Sequence, residues 1–220
     1  MASDGIPTRD VVLASASPAR LQLLRNAGLN PRAQPSGVDE DAVAAAHTWY
    51  GAEELVALLA HAKAVDIADR LRAENSEAKT RGPIVVGCDS LLHWQGEILG
   101  KPTDARSAIA QLERMQNTSG VLMTGHTVID LSLDQQSETV VSAVDSTVVH
   151  FSSMSSVEIA AYVATGEPIN VAGSFTLDGF SSPFIDRIEG NPSNVIGLSL
   201  PLLRRMLREL DIPWLDVVTY

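Results

Sequence analysis

The sequence predicts a mixed α/β protein, and two features of the 220-residue chain support this fold class. Strand-like apolar runs alternate along the chain with segments of helical periodicity, which is the pattern of a sheet covered by helices. After residue 120, two long strand-like segments follow one another with only a polar turn between them, which indicates antiparallel pairing. The sequence contains no internal repeat and no low-complexity segment. We therefore expect one sheet that combines parallel and antiparallel pairing.

The N-terminal half opens with a short buried strand at residues 11–15. Ser17 is a favourable helix N-cap, and Pro18 suits the first helical position because its missing N–H would be unpaired there anyway. The predicted helix stops at Gly28, since glycine readily adopts the left-handed conformation that ends helices. Two further segments complete this half: a proline-containing loop at residues 30–36 and a helical region from about residue 41, clearest over residues 53–73.

The C-terminal half is predicted from the same kinds of signal. Thr103 is expected to cap a helix over residues 104–115. Ser155 and Glu158 have the spacing of a capping box, for a helix that ends near Gly166. The remaining predicted elements are strands at residues 83–92, 121–133, 139–151 and 171–177, a polar turn at residues 134–137 and a final helix over residues 194–210.

The composition limits the classes of function. The chain is 45% hydrophobic and 20% charged, as in ordinary globular proteins, and no apolar run approaches the length of about 18 residues that a membrane span needs. The first residues lack the basic and apolar regions of a signal peptide, so we expect a cytoplasmic protein. The single cysteine excludes an internal disulfide. A net charge of −11 argues against a long nucleic acid as partner, but it permits a small phosphorylated ligand that brings its own cation.

The stretch GCDSLLHWQGEILGKP, residues 87–102, resembles a phosphate-binding loop only superficially. A Walker loop needs G-x-x-x-x-G-K-[ST], whereas here the two glycines are one residue too close and Pro102 replaces the hydroxyl residue. Asp89 instead ends an apolar strand, where a carboxylate is costly unless it is paired or bound to a cation. The carboxyl ends of strands are where α/β proteins bind ligands, so we favour a functional role for Asp89. Lys101 follows closely enough in sequence to serve the same site.

Four other polar residues are candidates, and each keeps a structural alternative. Ser17 and Arg20 lie at a helix N-terminus, where they make either a phosphate cradle or simply a well-capped surface helix. Glu40 begins an acidic helical turn whose charge complements the helix dipole without any ligand. Lys63 shares a helical stripe with apolar residues, so its ammonium group either reaches water or meets an anion.

Nucleophilic catalysis by the protein has little support in the sequence. The five histidines show no H-E-x-x-H spacing, and there is no G-x-S-x-G elbow. His93 and His150 fall in strand-like runs and are expected in the core or at a sheet edge. Cys88 is expected to be a small buried apolar group. Metal-assisted attack by water on a phosphate, by contrast, has several candidate residues.

Taken together, the motifs resemble the Maf family, the septum-formation-type nucleoside triphosphate pyrophosphatases. The resemblance extends from Leu13 to about Leu210, and the order and spacing of the motifs make it specific. It rests on LASASPARLQLLRNAGL, Glu40, Ala62-Lys63-Ala64, GCDSLL, GEILGKP, VEIAAYVATGEP, AGSFTLDG and FIDRIEGNPSNVIGLSLPLL. The sequence VAGSFTLDGF is similar to that of actinobacterial members.

The resemblance implies an α/β fold of the Maf/ITPase-like type, with a mixed twisted sheet in two lobes and a deep cleft. Residues 1–220 would form one Maf-like domain with a C-terminal tail from about residue 211, and the protein would be a cytoplasmic homodimer. The implied reaction hydrolyses a nucleoside triphosphate, standard or modified, to a nucleoside monophosphate and pyrophosphate, as a house-cleaning step in nucleotide metabolism. It requires a divalent cation, Mg²⁺ or Mn²⁺.

The resemblance also implies roles for individual residues. Asp89 matches the family's catalytic aspartate, which accepts a proton from the attacking water. Glu40 matches an acidic residue that helps to place the cation, so that Glu40 and Asp89 together are the expected metal ligands. The residues expected to hold the triphosphate are Ser17, Arg20, Lys63 and Lys101.

Four positions depart from the usual family pattern and leave the preferred base open: Ala19, Gly120, Val171 and Asp178. The departures at Val171 and Asp178, together with the family's name, also support an alternative function. In that alternative, the protein is a nucleotide-binding regulator of septum formation or cell division with little or incidental turnover. A third interpretation is a metal-independent domain that binds a sugar phosphate or sugar nucleotide, which would leave the two carboxylates of Glu40 and Asp89 without a role.

Overall fold

The structure, a computed structural model, describes residues 9–74, 82–132 and 139–219. Within these ranges the strands are β1 (Val11–Leu13), β2 (Arg32–Ala33), β3 (Ile84–Trp94), β4 (Glu97–Leu99), β5 (Ser119–Asp130), β6 (Thr139–Phe151) and β7 (Ile185–Glu189). The α-helices are α1 (Pro18–Asn26), α2 (Glu40–Ala46), α3 (Ala52–Glu74), α4 (Ala105–Met115), α5 (Ser156–Ala164), α6 (Pro192–Ile196) and α7 (Leu200–Glu209). None of these helices is both long enough and apolar enough to cross a membrane.

The seven strands found in the described ranges form one mixed sheet. Its order is β2-β1-β3-β5-β6-β7, and β4 pairs with β3 outside this path. Strand β1 is parallel to β2 and β3, whereas the pairs β3–β4 and β6–β7 are antiparallel. The β3–β4 hairpin turns at Gln95 and Gly96, whose φ angles of 49° and 86° are those of a tight two-residue loop. The predicted α/β class and the mixture of pairings are confirmed.

The chain divides into two compact units. Of the described residues, unit 1 contains those up to Asp89, from Gly125 to Val144 and from Leu200 onwards. Unit 2 contains Ser90–Thr124 and Asp145–Ser199. Strands β3, β5 and β6 therefore contribute residues to both units, and Asp89 is the last residue of unit 1 on β3.

Each unit has an apolar core of its own. In unit 1, helix α3 supplies much of the core, whose buried members are Val12, Ala14, Ala64, Ile67, Ala68, Leu71, Val85 and Ile129. In unit 2, helices α4 and α5 contribute to a core that also contains aromatic side chains. There the rings of Phe151 and Phe175 meet edge to face, with centroids 5.0 Å apart. Such pairs bury a large apolar area and add a directional contact.

A buried ion pair fastens the start of the described chain to the end of β5. Arg9 donates hydrogen bonds to both carboxylate oxygens of Asp130, to the carbonyl of Gly82 at 2.7 Å and to Oγ of Ser132 at 2.9 Å. The side chains of Arg9 and Asp130 are 7% and 4% exposed. Burial raises the pKa of Asp130, but the hydrogen bonds from Arg9 and Ser132 outweigh burial and hold the pKa below its ordinary value.

The C-terminal segment packs on unit 1, to which it belongs. A 3₁₀ turn at Trp214–Asp216 is followed by Val218, which forms an antiparallel bridge with Leu29. The N–H of Thr219 donates to the carbonyl of Gly28 at 2.9 Å. The segment that the sequence marks as a tail therefore continues the structure of its own chain.

Several local predictions are confirmed. Ser17 caps α1 by accepting a hydrogen bond from the N–H of Arg20, and Gly28 has a φ of 87° just after the helix. The capping box of Ser155 and Glu158 forms with both of its reciprocal bonds. Strand β6 has the predicted bounds. These features depend on neighbours in sequence, which is why a sequence pattern identifies them.

The predicted cap of α4 was wrong by one residue. Asp104, not Thr103, is the N-cap: its carboxylate accepts from the N–H of Ser107 at 2.7 Å, and its own N–H donates to Oγ of Ser107 at 3.0 Å. Threonine and aspartate are both favourable caps, and the choice depends on which of them meets the third helical residue.

The strand predicted at residues 171–177 is absent, and the described chain forms a 3₁₀ turn at Ala172–Ser174 instead. Gly173 and Ser174 have φ angles of 70° and 61°, which an extended strand does not accommodate. The N–H of Gly173 donates to the carbonyl of Gly100 at 3.1 Å, so a long-range contact holds the turn. Tertiary structure here overrides the β-branched and aromatic composition of the segment.

The final helix predicted over residues 194–210 is two helices, because Gly197, with a φ of 121°, ends α6 before α7 begins. Strands β2, β4 and β7 were not predicted. They have two, three and five residues, too few for a periodic pattern. Strand β5 starts at Ser119 and ends at Asp130, slightly before the predicted bounds. The predicted turn at residues 134–137 lies outside the described residues.

Replacing Asp130 with asparagine should destabilise the protein in a pH-dependent manner. Because the folded-state pKa of Asp130 is depressed, its charge contributes stability above the unfolded pKa, and this contribution is lost as pH falls through the folded pKa. Asp130→Asn leaves the Arg9 guanidinium buried without its charge partner, so the free energy of unfolding at pH 7 should fall by about 3 kcal/mol. The difference from wild type should shrink below about pH 4.

Urea unfolding at a series of pH values measures this effect. Asp69→Asn is the matched control, since Asp69 pairs with Arg72 on the surface of α3 and its side chain is 64% exposed. That change should cost no more than about 0.5 kcal/mol. Equal effects of the two substitutions at pH 7 would contradict the importance of the buried pair.

Candidate functional site

Three of the predicted site residues meet in unit 1 around one ammonium group. Nζ of Lys63 donates to Oδ1 of Asp89 at 2.6 Å and lies 2.6 Å from Oε1 of Glu40. The side chains of Lys63 and Asp89 are 11% and 9% exposed, whereas that of Glu40 is 50% exposed. The lysine thus bridges two carboxylates, one buried and one open to solvent.

The position of Lys63 follows from the packing of α3 against the sheet. Lys63 is buried on the same side of α3 as Val56, Leu59 and Ile67. On β3, a Cβ at Gly87 would collide with the carbonyl of Ala60 and lie 2.8 Å from Cβ of Ala64. On β5, a Cβ at Gly125 would likewise collide with the carbonyl of Val56. The helix and the strands therefore touch closely beside the lysine, at Ala60 and Ala64, and about two turns before it, at Val56.

The prediction that Asp89 ends its strand was wrong: β3 continues to Trp94, where it pairs with β4, and Asp89 ends only the fully buried stretch of the strand. Every residue from Ile84 to Asp89 is buried, as the near-continuous apolar run predicted. Burial raises the pKa of the Asp89 carboxyl above its ordinary value, while the charges of Lys63 and Arg20 lower the pKa in part. The nearby charge of Glu40 raises the pKa further. The site therefore contains a carboxylate that is more basic than an exposed one.

Arg20 reaches from α1 to the backbone next to Asp89. Its Nη1 donates to the carbonyl of Cys88 at 2.9 Å and to Oγ of Ser15 at 3.3 Å. The same Oγ of Ser15 accepts from the N–H of Ser17 at 3.2 Å. These contacts tie the N-terminus of α1 to the middle of β3, next to Asp89. They give Arg20 a positioning role that the sequence did not indicate, in addition to its predicted phosphate contact.

Glu40 is the first residue of α2, where Asp39 caps the helix by accepting from the N–H of Ala42 at 2.9 Å. The sequence alone allowed Glu40 to be a solvated residue that only complements the helix dipole. The contact of Glu40 with Lys63 favours a functional role for Glu40 instead, because its carboxylate lies within an ion-pair network rather than in solvent alone.

Five of the six predicted residues, Ser17, Arg20, Glu40, Lys63 and Asp89, belong to unit 1. Lys101 belongs to unit 2, where it is exposed and follows β4. For Lys63, the structure decides between the two alternatives left by the sequence: the ammonium group meets anions and does not extend into solvent.

A polar network in unit 2 was missed by sequence reasoning. Ser90, which follows Asp89 in the chain, places its Oγ 2.9 Å from Oγ1 of Thr124, and that threonine donates to the carbonyl of Asn194 at 3.3 Å. The Asn194 amide donates to the carbonyl of Leu122 and to Oγ1 of Thr147. Thr124, Thr147 and Asn194 are fully buried. The sequence signal that could have revealed this network was Asn194, a polar residue at the start of the largely apolar run NVIGLSLPLL.

The remaining reactive groups behave as predicted. Cys88 is fully buried, and desolvation raises the pKa of its thiol to about 11, so it is not a nucleophile at neutral pH. His150 lies near a sheet edge, with Nε2 at 2.9 Å from Oε1 of Glu189. In the part of the chain that the structure describes, no three His, Cys, Asp or Glu side chains are grouped to hold a metal.

Comparisons with known proteins agree with this arrangement of motifs. The family model described as Maf-like protein matches residues 10–210. A nucleoside triphosphate pyrophosphatase of Salinispora tropica is 50% identical over 211 residues, covering 96% of this chain and 88% of the relative. The enzymes of the same name from Streptomyces coelicolor and Cyanothece sp. are each 52% identical. Their alignments cover 93% and 90% of this chain and 92% and 94% of the two relatives.

Replacing Gly87 with alanine should disrupt the packing that holds Lys63 beside Asp89. The added Cβ has no space between β3 and α3, so the free energy of unfolding should fall by about 1–3 kcal/mol. Gly51→Ala is the control, because no described heavy atom beyond its chain neighbours lies within 4 Å of the Cβ position at Gly51. Urea unfolding compares the two variants. Similar stability of both would argue against the close helix–strand contact.

Proposed function

The chain belongs to the Maf family, and from this premise we propose that it is a nucleoside triphosphate pyrophosphatase. The reaction hydrolyses a nucleoside triphosphate between its α and β phosphates, which yields a nucleoside monophosphate and pyrophosphate. The relatives from Salinispora and Streptomyces that carry this enzyme name share about half of their residues with this chain. The proposed substrates include non-canonical or modified nucleotides, whose removal would be a house-cleaning function in the cytoplasm.

The observation that carries the proposal is the bridge of Lys63 between Glu40 and Asp89. A purely structural lysine would be served by one carboxylate, and burying two charges is rarely a net gain in stability. Here one acid is buried and the other is half open to solvent, so charged groups are gathered where a ligand can reach them. Groups with perturbed pKa values in such a cluster are typical of functional sites.

Asp89 is the proposed proton acceptor. Attack of water on phosphorus requires that the water lose a proton, and a positioned carboxylate accelerates this transfer. Burial raises the pKa of Asp89, which makes its carboxylate a stronger base, while Lys63 and Arg20 keep a part of the ionised form available. The hydrogen bond from Arg20 to the carbonyl of Cys88 fixes the backbone that carries this carboxylate.

The residues around Lys63 suit a divalent cation, Mg²⁺ or Mn²⁺. The two carboxylate oxygens that contact Nζ are at most twice 2.6 Å apart, and a positively charged group already lies between them. Magnesium in phosphate-transfer sites is commonly bound through one or two carboxylates together with the substrate's phosphates. When bound, such a cation neutralises charge on the phosphate oxygens. We assign Glu40 and Asp89 as the residues that would hold it.

The triphosphate is proposed to be bound by cations and hydroxyl groups. Arg20 and Ser17 lie at the N-terminus of α1, where the positive end of the helix dipole favours anions. Lys63 supplies a point charge and is the natural partner of a phosphate oxygen when it leaves a carboxylate. Lys101 is proposed as a further phosphate ligand because of its match to the family motif. The protein is proposed to act as a homodimer.

The regulatory alternative makes a different prediction about turnover. A nucleotide-binding regulator of septum formation would bind nucleoside triphosphates and yet release little pyrophosphate from any of them. A panel of standard and modified nucleoside triphosphates, tested with and without Mg²⁺ or Mn²⁺, separates the two functions and identifies the preferred base. Binding without release across the panel would favour the regulator.

Replacing Asp89 with asparagine should lower metal-dependent pyrophosphate release by about 100- to 10,000-fold, the usual contribution of a general base. The change is isosteric, so the folded state and nucleotide binding should persist. Measurement is by release of pyrophosphate at saturating nucleotide and Mg²⁺, with chelator as the negative control. Asp69→Asn, which removes an equal charge from the exposed face of α3, should retain full activity. Undiminished turnover in Asp89→Asn would exclude the assigned role.

A further inference from the structure

We propose that Lys63 is a built-in substitute for the divalent cation, and that its ammonium group must leave the carboxylates of Glu40 and Asp89 before a metal ion can bind there. In the ligand-free state the ammonium group occupies the place between Glu40 and Asp89. In the loaded state the lysine exchanges its carboxylate partners for a phosphate oxygen of the substrate. The inference rests on the proposed function for the identity of the anion, but its central step concerns the metal alone.

The first support is that the ammonium group of Lys63 already contacts both carboxylates. Nζ is 2.6 Å from one oxygen of each acid, so a single positive charge already contacts both carboxylates. Lys63 is buried on α3, and the contacts of Gly87 and Gly125 with the backbone of α3 fix the helix that carries it. The ammonium group is therefore held at the carboxylates by a rigid scaffold, with only its side-chain torsions free to move it.

The second support is that the ammonium group of Lys63 and a divalent ion cannot both contact the same two carboxylates. A divalent ion that contacted the same two oxygens would lie within a few ångströms of Nζ, in a partly buried place where like charges repel strongly. Metal entry to the nucleotide-free protein must therefore displace the ammonium group. Once the ion holds Glu40 and Asp89, the displaced lysine has no carboxylate of this cluster to return to.

The exchange couples the two ligands. A nucleotide offers phosphate oxygens to Lys63, which lowers the cost of releasing Glu40 and Asp89 to the metal. Metal binding in turn frees Lys63 for the nucleotide. The coupling is reciprocal, as any linkage between two binding sites must be. The wild-type protein should consequently bind a free divalent ion poorly and bind the metal–nucleotide complex well.

Affinity for Mn²⁺ without nucleotide tests this inference. Lys63→Met removes the competing charge but keeps an unbranched side chain, and it should bind Mn²⁺ about 10-fold or more tightly than wild type. The free Mn²⁺ concentration is read by electron paramagnetic resonance during titration. Arg70→Met is the matched control, since it removes one positive charge from the same helix at an exposed ion pair with Asp66. Its Mn²⁺ affinity should equal that of wild type.

Equal or weaker Mn²⁺ binding by Lys63→Met would overturn the inference, because it would mean that the ammonium group does not compete with the ion. A gain of the same size in Arg70→Met would also overturn it, since the effect would then be one of general charge. Neither titration measures turnover. If the titrations give the expected result but the protein releases no pyrophosphate, the proposed function is contradicted and the exchange is not. If the enzyme is active but Lys63→Met leaves the Mn²⁺ affinity unchanged, the exchange is contradicted and the proposed function is not.

A second measurement uses the wild-type protein and decides the question if Lys63→Met does not fold. Acetylation of lysine side chains by a limiting amount of acetic anhydride is followed by peptide mass spectrometry, with Lys101 as an exposed internal reference. Saturating Mn²⁺ alone should increase the labelling of Lys63 relative to Lys101 several-fold, because the ion releases the ammonium group from its carboxylates. Unchanged or lower relative labelling of Lys63 would contradict the exchange.

Discussion

The bridge from Lys63 to Glu40 and Asp89 is the interaction on which the site in unit 1 depends. A buried lysine is unfavourable unless anions meet it, and a buried aspartate has the same requirement for a cation. Satisfying both demands that α3 approach β3 closely enough for Lys63 to reach Asp89. The glycines at positions 87 and 125 provide that approach, since any side chain there would collide with the backbone of α3. The close contact of α3 with the sheet thus determines both the packing of the helix and the contacts of Lys63.

Local signals predicted much of the fold, although the cap of α4 was misplaced by one residue and the helix break at Gly197 was missed. The caps at Ser17 and Ser155 were predicted in this way, because their partners lie three residues away. Where a distant partner decides, prediction failed. Strand β7 forms because it can pair with β6. Residues 171–177 form a turn because the N–H of Gly173 donates a hydrogen bond to the carbonyl of Gly100. No pattern of apolar residues encodes those partners, although a glycine in a strand-like run is a warning of a bend.

The site was predicted as a set of residues but not as a geometry. Asp89 was identified as the carboxylate that closes an apolar run, although β3 continues beyond it to Trp94, and Lys63 was identified by its charge on an apolar helical stripe. Neither signal indicates that the two side chains touch, because 26 residues separate them in the chain. The contact of Arg20 with a backbone carbonyl was likewise beyond prediction, since a guanidinium serves a phosphate and a carbonyl equally well. The resemblance to the Maf family supplied the roles, and the structure supplied the distances in unit 1.

The charge of the cluster also resolves a difficulty posed by the acidic chain. A protein with a net charge of −11 is a poor host for a triphosphate if its charges are averaged over the surface. Around Asp89, however, the side chains of Lys63 and Arg20 balance those of Glu40 and Asp89, so the cluster itself is close to neutral. A triphosphate that enters with a divalent cation brings about two excess negative charges at neutral pH. If Lys63 passes its carboxylates to the metal and takes a phosphate oxygen, the ammonium group and both carboxylates each keep a partner of opposite charge throughout the exchange.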